Sequence, residues 1–131
     1  MKRVLFVCVE NSCRSQMAEG FAKQLGRGVI EAYSSGSEPS GIVNPKAIAS
    51  MKEIGIDISS RKSKGFDALP EGEWDAIVTM GCGDACPFLP AKRRFDWDIL
   101  EPRNLPQPEF NKVRDEIRRL VTELIGVISD E

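Results

Sequence analysis

The sequence predicts an α/β protein, a single domain over residues 1–131 built as a three-layer sandwich: a central four-stranded parallel sheet with helices on both faces. Three observations predict it. Apolar runs of strand length alternate with stretches of helical period, and the connections between them are short. Two of the runs, Val4-Leu5-Phe6-Val7 and Trp74-Asp75-Ala76-Ile77-Val78-Thr79-Met80, have the apolar character of strands covered on both faces. Composition agrees, with 41% hydrophobic and 29% charged residues in a chain of 131, long enough to bury a core without staples.

The elements follow in order. A first strand spans Arg3 to Val7. After a polar octet, the helix that follows sets Met17, Ala18, Phe21, Ala22 and Leu25 on one face and stops near Gly26 and Gly28. Val29 to Ser34 reads as a second strand ending at Ser35-Gly36. Asn44-Pro45 is an N-cap with proline at the first helical position, and the helix it opens turns Ala47, Ile48, Met51 and Ile54 inward before Gly55 stops it. Ser59 to Gly65 is polar and basic, and Phe66 to Glu73, with Pro70 and Gly72, allows at most a short helix and a turn. Trp74 to Met80 is a third strand, and a fourth is expected within Arg94 to Leu100. Glu101 to Pro108 carries three prolines and is a loop. The last helix is the clearest, with Phe110, Val113, Ile117, Leu120, Val121, Leu124 and Ile125 in helical period.

Bulk properties narrow the function. Eighteen Lys+Arg against twenty Asp+Glu give a net charge of −2, so no global positive field recruits nucleic acid or an acidic membrane, and any anion affinity is local. The apolar run after Met1-Lys2-Arg3 is too short for a signal segment, and no stretch reaches transmembrane length, which predicts a cytoplasmic protein. In that reducing setting four cysteines point to catalysis, redox chemistry or metal binding rather than a disulfide framework. The chain contains no histidine. Any nucleophile must therefore be activated by fixed charges and dipoles, and any general acid must be a carboxylic acid.

The polar octet is Cys8-Val9-Glu10-Asn11-Ser12-Cys13-Arg14-Ser15, on a strand-to-helix turn. There the first amides of the helix have no partner within it, and the helix dipole adds about half a positive charge. The amides of Val9 through Ser15 can cradle an oxyanion that Arg14 grips through its bidentate fork. The same field favours a thiolate at Cys8, so the loop can both hold an anion and attack it. The plainer reading of Cys8, a small buried hydrophobe at a strand end, is outweighed by the strand before it, the helix after it and the small polar filling of Asn11, Ser12 and Ser15. A second unusual stretch, Gly81-Cys82-Gly83-Asp84-Ala85-Cys86-Pro87, sets two thiols four positions apart after a strand. Buried thiols and a zinc site shared with Cys8 and Cys13 are alternatives. A redox pair fits better, because zinc ligation would quench Cys8. No metal and no cofactor are expected.

Cys8-Val9-Glu10-Asn11-Ser12-Cys13-Arg14-Ser15-Gln16-Met17-Ala18-Glu19-Gly20 resembles the active-site loop of the low-molecular-weight protein tyrosine phosphatase superfamily, and more narrowly of its thioredoxin-coupled arsenate reductases. The similarity continues through Tyr33-Ser34-Ser35-Gly36, Val43 to Ala47, Met51 to Ser59, Cys82 to Pro90 and Val113 to Ile117, essentially the whole chain. The resemblance implies the low-molecular-weight phosphatase fold. It also implies a relay in which Cys8 attacks arsenate, Cys82 displaces arsenite, and Cys86 attacks Cys82 to leave a disulfide that thioredoxin reduces. Cys13 takes no covalent part. Matching Trp97 to the family's tryptophan puts Glu101-Pro102 where the family has its Asp-Pro general acid, with Asp98 and Asp96 as competitors. Asn11, Glu19 and Ser34 match three ligands of a cation site found in some relatives. The fourth position reads Lys64, whose ammonium would replace the ion. A monomer is expected. The alternative is a phosphatase hydrolysing phosphomonoesters through a cysteinyl-phosphate on Cys8, which has no use for Cys82 and Cys86. Arg103-Asn104 also stand where the phosphatases carry aromatic residues.

Overall fold

The computed structural model describes residues 1–81 and 89–130, so Cys82 and Cys86 lie outside the described residues. Strands β1 (Lys2–Cys8), β2 (Ile30–Gly36), β3 (Trp74–Thr79) and β4 (Ala91–Asp96) form one sheet in the order β2-β1-β3-β4, with every pairing parallel. Helices α1 (Arg14–Leu25), α2 (Pro45–Lys52) and α3 (Gln107–Ser129) complete the framework. Among the described residues no helix is long and apolar enough to cross a membrane.

The β1 side chains alternate between two cores, as the strand period of two requires. Val4, Phe6 and Cys8 join a core built with all three helices, through Met17 and Phe21 of α1, Met51 of α2, and Phe110, Ile117 and Val121 of α3. Leu5 and Val7 face the other way, with Trp74 and Ile77, beneath Tyr33, Leu89 and the 3-10 turn Phe66–Ala68 with Leu69. Burying side chains of this size contributes about 1.5–3 kcal/mol each, so α3, with six apolar residues in the core, anchors the helical face.

The helix ends follow local chemistry. The Asn44 side chain accepts the Lys46 amide at 2.8 Å and Pro45 takes the first helical position of α2, as expected. Gly55, at φ +86°, follows that helix in the left-handed conformation. Leu25, expected on the buried face of α1, is 40% exposed, and Gly26, one position on, lies buried against Ile30 in its place. The fourth strand starts three residues earlier than the expected Arg94. It is an edge strand whose Lys92, Arg93 and Arg94 are all exposed, so it carries no apolar pattern to read.

The strand order places the site. The chain leaves β1 toward β2 on one side, while β3 lies on the other, so the sheet's topological switch point is at the C-terminal end of β1. There Val7 is paired with both Ser35 and Thr79, and its carbonyl accepts the Met80 amide at 2.7 Å. The loops after β1 and β3 therefore start side by side.

Candidate active site

Residues 9–13 close the turn between Cys8, the last residue of β1, and Arg14, the first of α1. The carbonyls of Cys8, Val9, Glu10 and Ser12 accept the amides of Ser37, Glu38, Ser40 and Asn44, and the Cys13 carbonyl accepts that of Met17. The Ser63 hydroxyl adds a bond to the Glu10 carbonyl at 2.7 Å. A planar peptide points its N–H opposite its C=O. With these five carbonyls engaged around the outside, the amides of residues 9, 10, 11, 13 and 14 turn inward. Helix α1 has Cys13 at its N-cap with no side-chain cap and no acidic residue in its first turn. Nothing in the helix competes with an incoming anion for those amides.

The backbone path requires two special residues. Asn11 sits at φ +53°, a conformation asparagine tolerates better than most. Gly36 lies so close that a Cβ there would stand 2.6 Å from the Val9 carbonyl and 2.9 Å from the Asn11 amide. Only glycine lets β2 end against the loop.

A hydrogen-bond chain reaches the sulfur of Cys8. The Asn11 carbonyl oxygen Oδ1 accepts from Gln16 Nε2 at 2.9 Å and from the Lys64 amide at 3.0 Å. Two donors on Oδ1 fix the amide's orientation, so Nδ2 donates to Ser15 Oγ, at 2.7 Å. Ser15 Oγ lies 2.9 Å from Cys8 Sγ. An ionised sulfur can only accept, and the hydroxyl then donates to it. Cys8 is buried, 2% exposed, at the floor of this arrangement. Cys13, also buried, has its thiol pushed up to about 12, chiefly by burial and then by the charge of Glu101. It stays protonated at neutral pH.

Arg14 is buried beside the loop. Its Nη1 donates to the Ile99 carbonyl at 3.2 Å and its Nε lies 3.6 Å from Glu101 Oε2. Among the described residues neither Arg14 Nε nor Glu101 Oε2 has a hydrogen-bond partner, although both atoms are buried. A bound oxyanion can complete both, accepting from the guanidinium while a protonated carboxyl donates to its leaving oxygen. Gly81, at φ +89°, underlies the guanidinium: a Cβ there would lie 2.5 Å from Nη1. Of the three carboxylates the sequence offers, Glu101 is the one joined to Arg14. Asp96 is exposed and accepts the Thr79 hydroxyl at 2.9 Å, and Asp98 is exposed. Trp97 packs on Phe6, ring centres 6.0 Å apart.

Behind the loop, Glu19 is buried among cations. Its carboxylate meets Lys23 Nζ at 2.8 Å, Arg61 Nη1 at 3.3 Å and Lys64 Nζ at 3.6 Å, and accepts the Ser34 hydroxyl. Lys64 Nζ is also 3.4 Å from Ser34 Oγ, so the ammonium occupies the position inferred for it beside Glu19 and Ser34. Burial pushes the Glu19 carboxyl up, but hydrogen bonds from Lys23 and Ser34 and the charge of Lys64 outweigh it and hold the group below the usual carboxylate range. Arg61, Lys23 and Gln16 were not among the expected site residues. Arg61 lies in the polar, basic stretch Ser59 to Gly65, which wraps back onto α1, whereas Gln16 and Lys23 belong to α1 itself.

This buried pairing yields a stability prediction. Removing one partner of a buried ion pair costs about 3–5 kcal/mol. Lys23 and Lys64 are partly exposed and screened, so Glu19→Gln is expected near the lower end, about 3 kcal/mol by urea denaturation at pH 7. A depressed folded-state value means the contribution is full above the unfolded value of about 4.3 and is lost as pH falls below it. The gap between wild type and variant should therefore shrink below about pH 4. Equal urea midpoints at pH 7 would contradict the assignment.

Comparison with known proteins adds to this geometry. A model of the family described as low molecular weight phosphotyrosine protein phosphatase matches residues 3–131. Arsenate reductase 2 of Staphylococcus haemolyticus (strain JCSC1435) is 44% identical over 124 residues, covering 92% of this chain and 93% of that protein. The glutaredoxin arsenate reductase of Synechocystis sp. (strain ATCC 27184 / PCC 6803 / Kazusa) is 42% identical over 132 residues, 98% and 100% of the two chains. The solved structure of an arsenate reductase in the phosphate binding state superposes with a TM-score of 0.87 at 41% identity, covering 98% of this chain and all of that one. The thioredoxin-dependent arsenate reductase of Corynebacterium glutamicum superposes with a TM-score of 0.79 at 30% identity, covering 98% of this chain and 62% of that one.

Proposed function

The chain belongs to the low molecular weight phosphotyrosine protein phosphatase family, and from that premise we propose that it reduces arsenate to arsenite by a cysteine relay. The observation that carries the reading is an oxyanion loop headed by Cys8 in a chain whose sequence also carries Cys82 and Cys86 within seven residues after β3, the strand beside β1. The extent of its similarity to arsenate reductases supports it.

The relay balances as follows. The Cys8 thiolate, held by Ser15, attacks the arsenic of an arsenate seated on the loop amides and Arg14, and a hydroxyl leaves as water with the proton of Glu101. Cys82 then attacks Cys8 Sγ. The sulfur–arsenic electron pair departs with arsenic, which leaves as arsenite, and a Cys8–Cys82 disulfide forms. Cys86 attacks Cys82, freeing the Cys8 thiolate and leaving a Cys82–Cys86 disulfide. An external dithiol reduces that bridge and resets the enzyme. The short interval between Cys82 and Cys86 favours their joining. Phosphomonoester hydrolysis is the second reading, favoured by the family match itself, since Cys8, Arg14, Ser15 and Glu101 suffice for a cysteinyl-phosphate cycle.

We assign thioredoxin as the electron donor and the cytoplasm as the setting, where reductants keep the thiols reduced. The test is arsenate-dependent NADPH consumption with either thioredoxin and its reductase or glutaredoxin, glutathione and glutathione reductase. Turnover only in the first mixture is expected. Turnover only in the second would transfer the chain to the glutaredoxin class, and turnover in neither would overturn the reductase.

A further inference from the structure

Glu10 is the third residue of the oxyanion loop, and its partly exposed carboxylate belongs to a loop whose backbone suits an anion. Alone it would repel an incoming dianion. It is paired with Arg103, which reaches it from the loop that also carries Glu101. The partners are 93 positions apart in sequence, and both side chains are partly exposed. The same loop is fastened to the other side of the octet through Ile99 and Glu101 on Arg14. Seating the segment from Ile99 to Arg103 therefore delivers Glu101 to the mouth and cancels the charge of Glu10 in one movement. The Arg103 guanidinium, already a strong base, is held further protonated by its hydrogen bond to Glu10 and by the charges of Glu10 and Glu101.

We infer that Arg103 is a substrate-binding determinant that acts through Glu10: it neutralises the loop's own repulsive carboxylate, so the loop holds an oxyanion tightly only while the segment bearing Glu101 is seated. Arg103 is a positioning residue in this role. By linkage, oxyanion binding and seating of that segment favour each other, and its release exposes Glu10 and expels the bound anion. The inference rests on the reading of residues 8–15 as an oxyanion loop and asks nothing of Cys82 or Cys86.

The test is calorimetric titration of inorganic phosphate into wild type, Glu10→Gln, Arg103→Ala and the double variant, at about 10 mM salt and at about 1 M, where screening shortens the reach of a charge to about 3 Å. Arg103→Ala leaves one uncompensated negative charge and is expected to weaken phosphate binding about five- to tenfold at low salt and much less at high salt. Glu10→Gln is expected to bind phosphate at least as tightly as wild type. The double variant should recover most of what Arg103→Ala loses. In arsenate turnover the loss should appear in KM rather than kcat. A purely structural bridge predicts that both single variants weaken and that the double variant is no better, and that result would overturn the inference. So would equal binding by wild type and Arg103→Ala. Wild type that binds no phosphate would overturn the oxyanion loop itself, and the inference with it.

Discussion

Replacing Cys8 by serine is expected to lower arsenate-dependent reductant consumption by about 10⁴-fold or more, to background, while phosphate affinity changes less than about threefold. Two physical reasons set the size. A serine hydroxyl ionises far less readily than a thiol, and the activation that the described residues supply is the Ser15 hydroxyl, the field of α1 and the charge of Arg14, with no histidine anywhere in the chain. Even if the oxygen attacked, the reaction could not finish. Arsenic is reduced because a sulfur–sulfur bond forms as arsenite departs, and oxygen at position 8 cannot enter a disulfide. Binding survives because the inward amides and Arg14 do not depend on the sulfur. Steady-state turnover and phosphate calorimetry on the same preparation separate the two effects, and measurable turnover in Cys8→Ser would place the nucleophile elsewhere.

Arg14→Lys is expected to lower kcat/KM by about 10²–10³, although the charge is kept. Arg14 does several things that an ammonium cannot do together. Its Nη1 holds the Ile99 carbonyl at 3.2 Å, its Nε faces Glu101 at 3.6 Å, and its planar fork has donors left for two oxygens of a tetrahedral anion. Lysine presents one point of charge and leaves the Ile99 carbonyl or the oxyanion unsatisfied. Gly81→Ala probes the same geometry from below, because its Cβ would push the guanidinium aside, and it should fall between wild type and Arg14→Lys. Arsenate saturation curves for the three proteins check the order. A lysine variant within threefold of wild type would show that charge alone suffices.

Much of this fold is legible in local sequence. The strand β1 is apolar on both faces and announces itself, as does the sustained helical period of α3. The edge strand β4 is not legible, since only Ala91 and Phe95 pack against the cores, and the exposed Lys92, Arg93 and Arg94 between them read as loop. The site divides in the same way. Cys8 through Ser15 lie on one turn, so residue type and spacing within eight positions suffice to show an anion nest. Glu19 reads as one more polar helix residue, because its partners Arg61 and Lys64 arrive from more than forty positions away. Family resemblance marked Glu19 together with Lys64, but no local pattern gave Arg61 or Gln16 a role. The pairing of Glu10 with Arg103 is invisible in sequence for the same reason: it belongs to the crossing of two loops.

The proposal that this oxyanion site performs a reduction stands or falls with Cys82 and Cys86, and a single turnover tests it most directly. Fully reduced protein, freed of small thiols, is mixed with excess arsenate in the absence of any reductant, and arsenite and disulfides are quantified by mass spectrometry in wild type and in Cys82→Ser. The relay predicts one arsenite released per wild-type chain together with a Cys82–Cys86 disulfide, and no arsenite from Cys82→Ser. Arsenite from Cys82→Ser at the wild-type yield, or a wild type that yields none while hydrolysing aryl phosphates briskly, would contradict it.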